Sequence, residues 1–68
     1  MKENFEKKIV ASIDLGSLDG LCEWREMYAD GTTGNWEHTS VGTDDSNGIN
    51  RLKNELRRKY GEEIEINK

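Results

Sequence analysis

Apolar residues recur at steps of three and four in one stretch of this chain and at steps of two almost everywhere else. Between Ser46 and Gly61, Ile49, Leu52, Leu56 and Tyr60 keep the helical spacing, which puts them on one stripe of a helix. Upstream, Phe5, Ile9, Ala11, Ile13 and Leu15 alternate with Glu6, Lys8, Ser12 and Asp14. That period predicts a long strand with one apolar face, its Val10 turned outward with the polar set. Residues 16–20 break the alternation with Gly, Ser and Asp, which favour turns.

A second strand is predicted over residues 21–29, with Cys22, Trp24, Glu26 and Tyr28 on one face and Leu21, Glu23, Arg25 and Met27 on the other. Asp30-Gly31-Thr32-Thr33-Gly34 is a hairpin signal, because Asp-Gly tolerates the positive φ such turns need. A third strand follows over residues 35–43, with Trp36 and His38 on one face and Glu37, Thr39 and Val41 on the other. A hairpin centred on Thr32 sets Tyr28 opposite Trp36, Glu26 opposite His38 and Trp24 opposite Ser40. Cys22, Trp24, Tyr28 and Trp36 then share one face, which is assigned to the core, with Ile13 brought near Trp24. After the helix, Ile64 and Ile66 alternate with acids in a short fourth strand.

The order β-β-β-α-β predicts an α+β fold. It is an antiparallel three-stranded meander with one helix on one face of the sheet. The fourth strand runs parallel to the first, in the spatial order 4-1-2-3. Asp44, Asp45 or Ser46 is placed to cap the helix N-terminus, and Gly61 suits a left-handed position just past its end.

Length and composition narrow what such a fold can do. Sixty-eight residues make one small domain, spanning 1–68, which buries only about 60% of its unfolded surface. Cys22 is the only cysteine and His38 the only histidine, so neither an internal disulfide nor a zinc site built from nitrogen and sulfur is predicted. No stretch approaches the roughly 20 apolar residues of a membrane span. The alternating N-terminal run reads as a strand rather than a leader, so a cytoplasmic location is expected.

Charge is divided along the chain. Residues 1–45 carry ten acids and four bases, residues 46–61 five bases and one acid, and residues 62–68 three acids and one base. The strands are therefore acidic and the helix basic.

No residue set names a reaction. His38 and Glu26, neighbours in the expected hairpin, have acid–base chemistry, but no nucleophile or cofactor motif accompanies them, and they read as a polar pair beside the aromatic cluster. Cys22, between aromatic neighbours, reads as a buried thiol. Asp44-Asp45-Ser46-Asn47-Gly48 has oxygen donors, and Glu55 stands at the twelfth position from Asp44, but Ile49 and Leu52 occupy the space where a calcium loop needs ligands. No catalytic residue, cofactor or metal is predicted.

Two surfaces carry the functional expectations. The outer sheet face, opposite the helix, groups Glu6, Asp14, Glu23, Arg25, Met27, Glu37 and Val41 as partner-binding residues. An acidic face with a few apolar residues suits a basic partner. The alternative is nucleic-acid binding by the basic helix residues Arg51, Lys53, Arg57, Arg58 and Lys59. A third reading is a homodimer or larger homo-oligomer formed through the edge strands, whose unpaired backbone groups invite pairing.

The sheet-plus-helix plan, with Asp30-Gly31-Thr32 in a hairpin and Gly42-Thr43 before a helix, resembles the arm-type DNA-binding domains of phage integrases. That resemblance is one of topology and implies a sheet that reads DNA. A shared plan does not carry a shared activity, and an acidic sheet face suits a protein partner better than DNA. The reading adopted is a non-catalytic small acidic interaction protein. It binds and regulates or inhibits a macromolecular partner, such as a nucleic-acid-processing protein, its carboxylates standing where phosphates would. Phage-encoded inhibitors are the model for this reading.

Overall fold

The structure, a computed structural model, describes residues 9–67. Strands β1 (Val10–Leu18), β2 (Leu21–Tyr28) and β3 (Glu37–Gly42) precede helix α1 (Ser46–Tyr60) and strand β4 (Glu65–Asn67). They form one four-stranded sheet in the order β3-β2-β1-β4. β1 is antiparallel to β2 and parallel to β4, and β2 is antiparallel to β3. This is the α+β arrangement that the alternation and the helical stripe predict, with the long apolar strand inside the sheet.

β1 runs three residues further than its alternation implies. Gly16, Ser17 and Leu18 stay in the strand, and Asp19-Gly20 alone makes the turn, with Leu18 paired to Leu21. Both turn residues have positive φ, 55° and 78°, as a two-residue type I′ hairpin requires. The tight turn sets Leu15 against Trp24 and Ile13 against Glu26, so Ile13 is not the neighbour of Trp24. At the other end of β1 the register shifts between Val10 and Ser12. The extra residue, Ala11, turns Val10 inward opposite Tyr28, where it packs against the core. A bulge reverses the facing of residues beyond it, which is why Val10 does not lie outward.

β3 shows the largest departure. Its register pairs Trp24 with Glu37 and Glu23 with His38. Relative to the symmetric hairpin about Thr32, these pairs are displaced by three residues, and Leu21–Gly42, beyond an irregularity between Leu21 and Glu23, by one. An odd slip moves every side chain to the opposite face. Val41 consequently packs against the core, and Trp36 and His38 lie on the outer face. The cause is local. The Asp30 carboxylate accepts from the Thr32 amide at 3.0 Å and the Thr32 hydroxyl at 2.6 Å. The Tyr28 amide donates to the Thr32 carbonyl at 2.8 Å, and Met27 bridges to Thr33. The turn is thus centred near Asp30, which by itself displaces the register by four; the four steps from Thr33 to Glu37, against three from Trp24 to Met27, add the one extra residue that makes the slip odd.

The helix is bounded by its own chemistry. Asp45 is the N-cap and accepts from the Gly48 amide at 3.0 Å. Arg57, Arg58 and Lys59 fill the last turn, where cations oppose the negative end of the dipole. The Gly61 amide closes the helix on the Arg57 carbonyl at 2.7 Å. Gly61 has φ of 114° with an extended ψ of 147°, so it leaves the helix towards β4 rather than coiling in the left-handed well. The buried apolar core is Ile13, Leu15, Cys22, Leu52 and Leu56, with Trp24, Ile49, Tyr60, Ile64 and Ile66 around it.

Ile13 is fully buried, whereas Ile9 is 72% exposed. Ile13→Ala is expected to lower the unfolding free energy by about 2–5 kcal/mol, and Ile9→Ala to change it by less than about 0.5 kcal/mol. Urea denaturation followed by far-UV circular dichroism measures both.

Candidate functional site

The two faces of the sheet present different chemistry. On the outer face, Asp14, Glu23, Arg25 and Met27 come together on β1 and β2, as expected. Asp14 and Arg25 are cross-strand partners, and the Arg25 Nε lies 3.2 Å from the Asp14 carboxylate. The Arg25 guanidinium also lies 4.4 Å from the centre of the Trp36 ring, within cation–π range. Trp36 lies across the sheet over Gly16. A Cβ at Gly16 would be 3.1 Å from the ring, so only glycine lets the indole lie this close. Glu23, 9% exposed, faces His38, whose Nδ1 is 3.2 Å from its carboxylate.

Three of the expected partner-binding residues are not in this group. The slip of β3 carries Glu37 and Val41 to the helix side, and Glu6 lies outside the described residues. The outer face holds the carboxylates of Asp14, Glu23 and Glu65 against one guanidinium, and Arg25 already neutralises Asp14. It is less acidic and more aromatic than its alternation implies. Trp36, which the expected register assigned to the core, stands at its centre. The extra residue between Thr33 and Glu37, next to Gly34, is the feature that places it there. His38 partners Glu23 rather than Glu26, so the expected pair with Glu26 does not form.

The basic residues of α1 do not make one patch. Successive helix residues are about 100° apart. Lys53 and Arg57 are half-buried on one flank of the apolar stripe, and Arg58 is exposed. Arg51 lines a cleft of about 600 Å³ beside His38, Ser40 and Glu55, on the flank nearer β3. Lys59, though exposed, has its ammonium over aromatic rings, at 5.4 Å from the Trp24 ring centre and 5.3 Å from that of Tyr60.

Those rings belong to a second cleft, of about 590 Å³, between the last turn of α1 and strands β2 and β3. Glu26 is its hub. The Tyr28 hydroxyl donates to Glu26 Oε1 at 2.6 Å, and the Tyr60 hydroxyl donates to Oε2. The Gly34 amide donates to the Glu26 carbonyl at 2.8 Å. A Cβ at Gly34 would stand 2.9 Å from the Tyr28 hydroxyl, so this close approach also needs glycine. Trp24 and Tyr60 meet edge to face at 6.1 Å. Glu37, opposite Trp24, completes the rim.

The tie shifts the ionisation of its members. The Tyr28 hydroxyl, then the Tyr60 hydroxyl and the Lys59 charge, hold Glu26 below its ordinary 4.5 against the opposing effect of burial. The hydrogen bond to Glu26 raises Tyr28 above 10. Burial first, and then Glu26, raises Tyr60 well above 10. The cluster holds a carboxylate charged and two phenols neutral across neutral pH. That state is suited to binding a cation rather than to exchanging protons. Among the described residues no cluster of His, Cys, Asp and Glu is arranged to hold a metal ion, and no helix is long and apolar enough to cross a membrane. Compared with known families, curated proteins and solved structures, the chain matches none.

A depressed carboxylate stabilises the fold fully above its unfolded value and loses that contribution as pH falls through the folded value. The raised phenols behave oppositely, contributing below their unfolded value near 10 and losing the contribution as pH rises past it. Glu26→Gln should therefore cost stability at neutral pH, and the difference from the unsubstituted protein should shrink on acidification below 4.5. Urea midpoints measured across that range test this; a difference that stays constant into acid would contradict it.

Proposed function

We propose that this chain is a non-catalytic binding module that captures and regulates a protein partner through the outer face of its sheet. The observation that supports this most is the Asp14–Arg25–Trp36 stack. A guanidinium is held between a carboxylate and an indole on a face that, among the described residues, no helix covers. Trp and Arg are the residues most enriched where binding energy concentrates. Here their conformations are set before a partner arrives, which reduces the ordering cost of association.

Met27 adds apolar contact beside the stack, while Glu23 and Glu65 give the face an acidic margin. A partner with a basic working surface fits that margin. A protein that handles nucleic acid has such a surface, and occupying it would inhibit that protein. The basic side chains of α1 point around the helix rather than in one direction, which favours this reading over nucleic-acid binding by the helix.

Trp36→Ala and Arg25→Ala should each weaken partner binding by about 30-fold or more, the effect of losing a hot-spot residue. The exposed double substitution Arg51→Glu/Arg58→Glu should leave it within a few fold. Affinity capture from nuclease-treated host lysate identifies the partner, and titration calorimetry with that partner measures the series. A partner lost with the helix substitutions and retained by the sheet substitutions would overturn the proposal.

A further inference from the structure

We propose that the cleft between the last turn of α1 and strands β2 and β3 binds an alkylammonium group, the side chain of a lysine on a partner protein. In the free protein Lys59 occupies that seat. Trp24 and Tyr60 supply two aromatic walls whose ring planes meet at 73° with centres 6.1 Å apart. The Lys59 ammonium stands 5.4 Å and 5.3 Å from those centres, inside the roughly 6 Å over which a ring face attracts a cation. A corner of two such faces attracts a cation from two sides.

The rest of the cleft supports the same chemistry. Glu26 accepts from both Tyr28 and Tyr60, so one carboxylate fixes the ring of each tyrosine and places negative charge beneath the seat. Glu37 adds a second carboxylate at the rim. Two ring faces and two carboxylates form a site for a cation that is only weakly particular about its substituents. Lys59 is exposed, and among the described residues its ammonium forms no ion pair. Its long flexible stem can swing out to solvent and be replaced. The cleft, of about 590 Å³, can take an incoming lysine side chain in its place.

This site lies on the opposite side of the sheet from Trp36 and Arg25. It does not rest on partner capture by the outer face, and either can fail alone.

The test uses two-dimensional ¹H–¹⁵N NMR of the whole chain, read at the indole Nε1–H of Trp24 and Trp36, which a Trp36→Phe variant assigns. The probes are acetyl-Gly-Lys-Gly-amide and the same tripeptide with norleucine in place of lysine. The lysine tripeptide should shift the Trp24 signal saturably and leave Trp36 still, while the norleucine tripeptide moves neither. Lys59→Ala removes the internal competitor and should tighten binding about two- to fivefold. Glu37→Gln should weaken it. Both positions are exposed, and an unchanged dispersion of the amide spectrum confirms folding. Three results would overturn the proposal: no Trp24 shift in the Lys59→Ala protein at millimolar tripeptide, an equal response to norleucine, or a Trp36 response as large as that of Trp24.

Discussion

The connection between β2 and β3, which begins with the two hydrogen bonds the Asp30 carboxylate accepts from Thr32 and ends with one extra residue before Glu37, decides how the rest of this small protein faces. Those two bonds close the β2–β3 turn early, so that Met27 meets Thr33, a displacement of four that keeps parity; one extra residue between Thr33 and Glu37, opposite the stretch from Trp24 to Met27, then leaves β3 three positions out of symmetric register. Side chains alternate with a period of two along a strand. An odd displacement therefore exchanges the two faces of β3 completely. Trp36 goes outward to lie on Gly16 beneath Arg25. Val41 goes inward to the core, and Glu37 joins Trp24 at the mouth of the cleft. Both surfaces with distinctive chemistry follow from that one connection.

The helix supplies the other half of the arrangement. Its apolar stripe closes the core over Ile13 and Leu15, and its last turn delivers Tyr60 to Glu26 and Lys59 to the rings. Glu26 belongs to an inner strand face, where an unpaired charge would be costly. Two phenol donors and a nearby ammonium remove most of that cost. The same groups shape the cleft, so the interactions that stabilise this end of the fold also prepare it to hold a cation. On the opposite face, Arg25 serves Asp14 and Trp36 together, and a preformed pair of recognition side chains results.

The elements themselves were legible in the sequence. Ile49, Leu52, Leu56 and Tyr60 mark α1, the run Asp44-Asp45-Ser46 and Gly61 bound it, and the alternation around Ile13 marks the central strand. Strand order followed from a meander and a single returning helix. Facing was less legible. The slip of β3 depends on the Asp30 turn together with one extra residue between Thr33 and Glu37, and nothing in the alternation of residues 35–43 distinguishes the two registers. Ala11 looks like an ordinary strand residue, yet as a bulge it reverses Val10. Asp14, Glu23, Arg25 and Met27 were found together because β1 and β2 are joined by a two-residue turn that keeps parity. Glu26 interrupts an aromatic face in the sequence and reads there as half of a polar pair with His38; only with Tyr28 and Tyr60 beside it does it become the hub of the site. Lys59, one of five basic residues suited to the helix dipole, gains its separate role from the rings beneath it.

The central claim is the facing of β3, because the outer stack and the cation-holding cleft both depend on it. Nuclear Overhauser effects from the Trp36 ring test it most directly. Cross-peaks from the Trp36 indole to the Gly16 α-protons and to the Arg25 side chain are predicted. Cross-peaks from that indole to Tyr28 or to Leu56 of the helix would place Trp36 in the core and contradict the account.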